Sequence, residues 1–445
     1  MEKIVSLSKR RGYVFQSSEV YGGLNGCWDY GPLGVELLRN IKEQWWQTMT
    51  SREDIEGIDA SILMHPRVWE ASGHVANFTD PMVDCKECKA RFRADQIEDA
   101  MCGNPAYKGR KASKCQHEGK FTEARQFNLM FKTFIGPTED NASVVYLRPE
   151  TAQGIYVNFL NVQAASRQKL PFGIAQIGKA FRNEINTKNF LFRTREFEQM
   201  EMQFFVKPGT DEEWFRYWKA ERLAWFIGLG IDKDKLQYHQ HEPDKLAHYA
   251  KDAFDIEYLF PFGWGEIEGI HNRTDFDLSR HEEFSGKSMK YFDEEAKERY
   301  TPYIIETSAG ASRSFMAFLV NAYREEEAPT ADGKTETRVV LGLHAKLAPI
   351  KAAVFPLVNR DGMPELARNI VQGLRPHLRV FYDDSGAVGR RYRRQDEAGT
   401  PYCITVDSQT LQDSTVTVRE RDSMQQKRVG ADALPEYLRK KINAA

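Results

Sequence analysis

The sequence lacks any unbroken apolar run near the ~18–20 residues that a bilayer span needs, so no membrane-embedded segment is expected. It also lacks a charge imbalance, since 62 basic and 64 acidic side chains leave a formal net charge of −2. Any nucleic-acid partner would therefore be met by local basic patches, not by the field of the whole molecule. Internal repeats are missing too, and 41% hydrophobic with 28% charged residues suits a folded, soluble chain better than a disordered one. In the opening MEKIVSLSKRRGYVF the basic residues follow a very short apolar stretch. That order is wrong for a secretory leader, and a cytoplasmic location is the expectation. Cysteine is scarce: Cys27, Cys85, Cys88, Cys102, Cys115 and Cys403. Four of the six share one short window, a metal-like spacing in a chain without a secretion signal.

What is present reads as several units, because 445 residues exceed one ordinary core. After the turn-rich YGGLNGCWDYGPLG, a helix is expected from Pro32, with Leu37, Leu38, Ile41, Trp45 and Trp46 at helical spacing. Residues 84–120 are polar, irregular and cysteine-bearing, like an inserted module. Short apolar runs then predict strands at 144–148, 172–181 and 196–206. In the last, Phe197, Gln199, Glu201 and Gln203 alternate with Met200, Met202 and Phe204, giving one polar face. A helix over 212–230 ends on glycine, DIEYLFPFGWGEIEGI reads as a strand-like segment, and residues 303–323 read as strand, small-residue turn and helix. Residues 325–337 are expected to form a hydrophilic linker before a small α/β unit of about 100 residues.

Residues 173–180, GIAQIGKA, nearly match a phosphate-cradling loop, but Ala180 replaces the hydroxyl that would hold magnesium and the interior IAQI is strand-like. The stronger constellation is Phe181-Arg182-Asn183-Glu184, followed by Phe192-Arg193-Thr194-Arg195-Glu196-Phe197. Two antiparallel strands joined by a loop would gather these arginines and glutamates around one concavity. Arginine forks suit phosphate oxygens and Phe197 could stack on a base. A generic charged hairpin would carry only exposed ion pairs. Here the polar face runs on through Gln199 and Glu201, which suit a core poorly and favour a site.

That stretch closely resembles motif 2 of the class II aminoacyl-tRNA synthetases. TSAGASR, from Thr307 to Arg313, resembles motif 3, and DYGPLG with its helix resembles motif 1, whose proline and helix form a dimer interface in that family. With LRPETAQG, RQFNLMFKT, GWGEIEGI and NRTDFDL, the chain is similar over nearly its whole length to the homodimeric glycyl-tRNA synthetases. The resemblance implies an α/β (α+β) fold. It places an antiparallel-sheet catalytic core with helices over 1–335, with motifs near 29–50, 176–206 and 303–323. A candidate zinc-binding insertion at 84–120 and an anticodon-binding α/β domain at 346–445 complete it. It further implies activation of glycine with ATP and Mg²⁺ to glycyl-adenylate, transfer to tRNA(Gly), and a homodimer.

The resemblance carries residue roles as well. Arg182 would hold the α-phosphate, Glu184 would face the adenine amino group, and Phe197 and Arg313 would sandwich the ring. Arg193 and Arg195 would reach the outer phosphates. Asn183, Phe192, Thr194, Glu196, Ile267, Gly310, Ala311 and Ser312 complete the expected ATP-binding set. Glu266 and Glu306 would bind magnesium. Glu150, Glu201, Glu306 and Ser308 would surround the glycine ammonium, Arg93 would meet its carboxylate, and Glu198, Gln199, Met200, Thr307 and Ala309 would flank it. No protein nucleophile is needed, because positioning and charge neutralisation carry attack of a carboxylate on phosphorus. Three carboxylates around one pocket repel unless a cation sits between them. A glycine pocket also needs no editing site, since no smaller amino acid exists to slip in.

Cys85, Cys88, Cys102 and Cys115 could form a tetrahedral zinc site, with His117 competing for the fourth position and spare buried thiols as the alternative. Arg390, Arg391, Arg393 and Arg394 around Tyr392 form the densest basic patch, readable either as a phosphate contact or as a solvated helix face. A non-catalytic nucleic-acid-binding relative would have no need of the ATP residues. A synthetase for another small amino acid would not need the acidic set Glu150, Glu201 and Glu306.

Overall fold

The computed structural model describes residues 1–86, 89–98, 121–140, 142–246, 249–329 and 335–444. Its centre is a seven-stranded sheet in the order Leu236–Gln240, Asp252–Phe260, Gly263–Thr274, Tyr303–Gly310, Glu196–Val206, Phe172–Phe181, Ile55–Gly57. All neighbours are antiparallel except the last pair. The period-two pattern explains its two faces. Met200, Met202, Phe204 and Val206 point into the main core, against the helices Pro32–Thr50, Asp211–Gly228 and Ala311–Ala322. On the other face Phe205, Phe172 and Ile304 pack under a second cluster with Ala152, Phe159 and Leu278, but only along part of the strands. The uncovered part of that face is polar and concave.

Helix Pro32–Thr50 starts as its sequence predicts, with proline in the first turn, where a missing N–H costs nothing. It buries Leu37, Leu38, Ile41, Trp45 and Met49. Gly34 is required there, because a Cβ would collide with the carbonyl of Tyr13. Strands Phe172–Phe181 and Glu196–Val206 fall where the apolar runs put them. The near-match to a phosphate loop is thus the middle of a strand.

Three expectations are corrected. DIEYLFPFGWGEIEGI is two strands, Asp252–Phe260 and Gly263–Thr274, because Pro261 cannot continue the ladder and Gly263 turns with φ +109°. The window from 84 holds ordered structure at its margins: Thr79–Asp84 pairs with both Arg91–Arg93 and Arg125–Asn128. The hydrophilic linker is a hairpin of Tyr323–Pro329 with Thr335–Leu341. Part of its polarity serves ion pairing. Buried Arg338 donates to Glu326 (Nε–Oε1 2.6 Å), to Asp396 (2.9 Å) and to the Arg421 carbonyl (3.1 Å), stapling the hairpin to the C-terminal unit.

That unit is a five-stranded sheet in the order Val380–Tyr382, Ala352–Pro356, Tyr402–Val406, Thr415–Glu420, Gln426–Gly430, parallel across the first three strands. Helices Met363–Leu374 and Leu434–Asn443 close its own core around Val354, Ile404 and Val418. The basic patch lies on helix Val388–Glu397, and most of it turns inward. Arg391 is buried and donates to the carbonyls of Asp384 (3.0 Å) and Gly386 (2.6 Å). Arg394 pairs with Asp383 at 2.7 Å, and Arg393 with Glu336 at 3.0 Å. Arg390 is exposed and has no ion pair among the described residues. Three of the four arginines are therefore structural.

One ion pair locks the core helix to the sheet. Arg222 on Asp211–Gly228 donates to Glu268 through Nε (2.7 Å) and Nη2 (3.2 Å), with side chains 1% and 0% exposed. Burial pushes the Glu268 carboxyl up, and Arg222 offsets only part of this. Glu268→Ala would strand a buried guanidinium and should cost about 3–5 kcal/mol, whereas the double replacement Arg222→Met/Glu268→Leu should be close to neutral. Urea unfolding followed by tryptophan fluorescence measures both; equal losses in the two variants would contradict the assignment.

Candidate active site

The polar face of the sheet closes into a cavity of about 250 Å³. Strand Glu196–Val206 contributes Phe197, Gln199 and Glu201, and its partner Tyr303–Gly310 contributes Glu306, Ser308 and Gly310. Their register sets Glu201 opposite Ser308 and Gln203 opposite Glu306. On the far side, His271 stands opposite Glu306 and Gly269 opposite Ser308. A bulge shapes that strand: Glu266 faces Glu257 and Glu268 faces Ile256, leaving Ile267 unmatched. The extra residue lets Glu266 and the Gly269, His271, Arg273 series all face the cavity. Gly269 is needed for space, since a Cβ there would sit 2.9 Å from His271 Cε1.

At one end three carboxylates meet, with unequal support. Glu306 accepts from His271 Nδ1 (2.6 Å), Gln203 Nε2 (2.8 Å) and Arg273 Nη1 (3.3 Å). Burial works to raise its carboxyl, but Arg273 and His271 outweigh it and hold Glu306 below the ordinary range. Glu150 lies 3.3 Å from His74 Nε2 and accepts from Gln153 (3.0 Å). Burial is again opposed, by His74 and Arg273, and its carboxyl falls to about 2. Glu201 differs. It accepts from the Thr151 hydroxyl and from Gln203 (3.3 Å), both neutral. Burial, followed by the charges of Glu306 and Glu150, pushes its carboxyl well above the usual range. Arg273 links this end together, donating to Asp277 at 2.7 and 2.9 Å and lying 3.8 Å over the Tyr249 ring.

The other end is cationic and aromatic. The Arg182 guanidinium lies between the rings of Phe78 (5.5 Å) and Phe197 (5.3 Å), with Nε donating to the Pro149 carbonyl (3.0 Å). Arg193 reaches Glu184 at 3.8 Å. Arg313 lies 4.4 Å over Phe192 and pairs with Glu266 at 2.9 Å, holding that carboxyl below its ordinary range. Arg313 therefore stacks on Phe192 here, while Phe197 faces Arg182.

The cavity gathers Glu150, Arg182, Glu184, Phe192, Arg193, Thr194, Phe197, Gln199, Glu201, Glu266, Glu306, Ser308, Gly310, Ser312 and Arg313 of the expected set. Strand alternation puts Glu198, Met200, Thr307 and Ala309 on the opposite face, where Glu198 pairs with Lys42 (2.8 Å) and the other three are buried. Ile267 and Ala311 are core residues. Glu196 is exposed and pairs with Lys179. Arg195 is turned outward to the carbonyls of Glu184 (2.9 Å) and Asn25 (2.5 Å). Arg93 does not line the cavity and pairs with Asp80 (2.8 Å) and Asp95 (2.7 Å). Asn183 faces a neighbouring groove. Cys85 is described, whereas Cys88, Cys102, Cys115 and His117 lie outside the described residues. The sequence reading missed His74, Thr151, Tyr249, His271 and Arg273. His271 and Arg273 carried a usable signal, since two-residue alternation from Gly269 sets both on one face of a strand.

Among the described residues no cluster of three or more His, Cys, Asp or Glu side chains could hold a metal ion. Glu306 fits magnesium poorly, its oxygens being taken by His271, Gln203 and Arg273. Glu266, 44% exposed at the cationic end, is better placed to share a cation that arrives on phosphates.

The model of the "tRNA synthetase class II core domain (G, H, P, S and T)" matches residues 131–323, and the "Anticodon binding domain" model matches 351–441. The chain is 59% identical over 444 residues to a glycine–tRNA ligase of Treponema denticola, covering 99% of this chain and 97% of the relative. Glycine–tRNA ligases of Borreliella burgdorferi (58% over 447 residues) and Streptomyces coelicolor (54% over 452 residues) match 99% of this chain, and 97% and 98% of their own lengths.

The acidic end generates its own expectation. A small ammonium ion entering beside Glu201 would favour the carboxylate and release a proton, so its affinity should rise with pH. Glu201→Gln, which mimics the protonated acid but cannot titrate, should bind more weakly and lose that pH dependence. Calorimetry in buffers of different ionisation enthalpy reads the proton directly; equal proton release in the variant would contradict the role.

Proposed function

The chain belongs to the glycine–tRNA ligases of the class II synthetase family, and on that premise we propose how its cavity divides the reaction. The enzyme activates glycine with ATP and then transfers it to the 3′ end of tRNA(Gly). The acidic end receives the glycine ammonium against Glu150, Glu201 and Glu306, with Ser308 and Gln199 at its side. The cationic end receives ATP: Arg182 at the α-phosphate, Glu184 at the adenine amino group, Phe197 and Arg313 on the faces of the ring, and Arg193 towards the outer phosphates. The observation that carries this reading is the placement of both charge types in one small cavity, three carboxylates at one end and three arginines at the other.

In the first step a glycine carboxylate oxygen bonds to the α-phosphorus and pyrophosphate leaves with the electrons of the broken P–O bond. Arg182 would stabilise the charge that builds on the α-phosphate oxygens. In the second step a terminal ribose hydroxyl attacks the glycyl carbonyl, the bond from that carbonyl carbon to the phosphate oxygen breaks, and AMP departs with its electrons and the hydroxyl's proton. The chain supplies no nucleophile in either step; its residues hold two reactants in line and screen their charges. Magnesium brought by ATP neutralises phosphate charge when bound, and Glu266 is the residue we assign to it.

Four further assignments complete the reading. Zinc on Cys85, Cys88, Cys102 and Cys115 rests on spacing and on a backbone that reverses after Cys85, whose N–H donates to Ala90 (2.9 Å) and whose carbonyl accepts from Lys89 (3.0 Å). A homodimer rests on the motif 1 resemblance, anticodon contact on the matched C-terminal unit, and a cytoplasmic location on the kinship with glycine–tRNA ligases. Among the described residues no helix is long and apolar enough to cross a membrane.

Glycine-dependent exchange of labelled pyrophosphate into ATP tests the reading. Exchange with glycine and not with alanine or serine is expected; no exchange with glycine would sink it. Arg182→Ala should lower exchange by about 10²–10³-fold with unchanged circular dichroism. A normal rate in that variant would remove Arg182 from its role.

A further inference from the structure

Glu150 faces the cavity, but the groups that hold it do not line the cavity. Its Oε2 lies 3.3 Å from His74 Nε2, and its Oε1 accepts from Gln153 Nε2 at 3.0 Å. One donor on each oxygen, from two separate elements, fixes the plane of the carboxylate. Gln153 is wholly buried, so its polar atoms must find partners inside the protein. Its Nε2 donates both to Glu150 and to Asp277 (3.2 Å), which uses both hydrogens of the amide. Carboxylates only accept, so this end of the amide is its NH2 end. The amide oxygen then faces Nε2 of His281 at 2.8 Å.

Burial lowers the His281 imidazole, which keeps the ring neutral. A neutral ring carries one N–H, and opposite an amide oxygen that proton sits on Nε2. His281 is buried and stands one turn after Asp277 on helix Phe276–Ser285. One helix face therefore gives the amide an acceptor at one end and a donor at the other. Asp277 is fixed in turn by Arg273, through bonds of 2.7 and 2.9 Å. Without the imidazole the Gln153 oxygen would be buried and unpaired, and the amide would turn from Glu150 towards another donor.

We propose that His281 is a positioning residue for glycine: by locking the Gln153 amide it aims the Glu150 carboxylate at the ammonium, while touching neither substrate. This inference rests on the ligase reading above. Pyrophosphate exchange on the full chain, with glycine and ATP varied in turn, tests it. His281→Leu should raise KM for glycine about tenfold and leave KM for ATP unchanged. His281→Gln, whose amide nitrogen lies as many bonds from the backbone as imidazole Nε2, should restore most of the loss. In the double variant His281→Leu/Gln153→Met, KM for glycine should rise no further than in Gln153→Met alone, because the first residue acts through the second. An unchanged KM for glycine in His281→Leu would overturn the proposal. Equal rises for both substrates, no recovery in His281→Gln, or additive effects in the double variant would do the same. Should His281→Leu fail to fold, Gln153→Met decides alone: it removes the amide at similar volume, and an unchanged KM for glycine would contradict the relay. Wild-type protein without glycine-dependent exchange would instead refute the ligase reading.

Discussion

Arg273 is the interaction on which the cavity depends. Buried with Asp277 and Glu306 as its partners and Tyr249 beneath it, this guanidinium makes a cluster of carboxylates possible inside the protein. Unpaired buried charges are costly, and a cluster of like charges more so. Arg273 and His271 meet that cost for Glu306, and His74 meets it for Glu150. Glu201 is less well served: Arg273 opposes its burial only in part, and both its hydrogen-bond partners are neutral. The pocket is left short of one positive charge, and an amino-acid ammonium supplies one.

This shortfall also bears on selectivity. Glycine offers no side chain to be read, so recognition falls on the ammonium and on the space around it. The 250 Å³ cavity must hold the nucleotide as well, which leaves little room at the acidic end. Exclusion by size needs no hydrolytic second site, because no smaller amino acid exists. The sheet makes such exclusion credible, since its ladder fixes the walls far more firmly than a loop would.

Much of this was legible in the sequence. The apolar runs predicted strands Phe172–Phe181 and Glu196–Val206, and alternation predicted the face carrying Phe197, Gln199 and Glu201. The same alternation excludes Glu198, Met200, Thr307 and Ala309, which entered the expected set only as neighbours within a motif. What the sequence hid were partners distant along the chain. The patch from Arg390 to Arg394 reads as basic because Asp383, Glu336 and the carbonyls that neutralise it come from other elements. The hairpin of Tyr323–Pro329 with Thr335–Leu341 reads as a linker for the same reason, because Arg338 finds its partner Asp396 on a distant helix. The bulge at Ile267 leaves no mark in composition, yet it aims Glu266 and His271 into one cavity.

The central claim is that Glu201 awaits a cation. Its protonation can be followed by carboxyl-carbon NMR on protein labelled at glutamate, with Glu201→Gln identifying the resonance. The account predicts a carboxyl protonated well above the ordinary glutamate range in free protein, and ionised once saturating glycine is added at the same pH. A Glu201 resonance that is ionised in both states, or that glycine leaves unmoved, would contradict it.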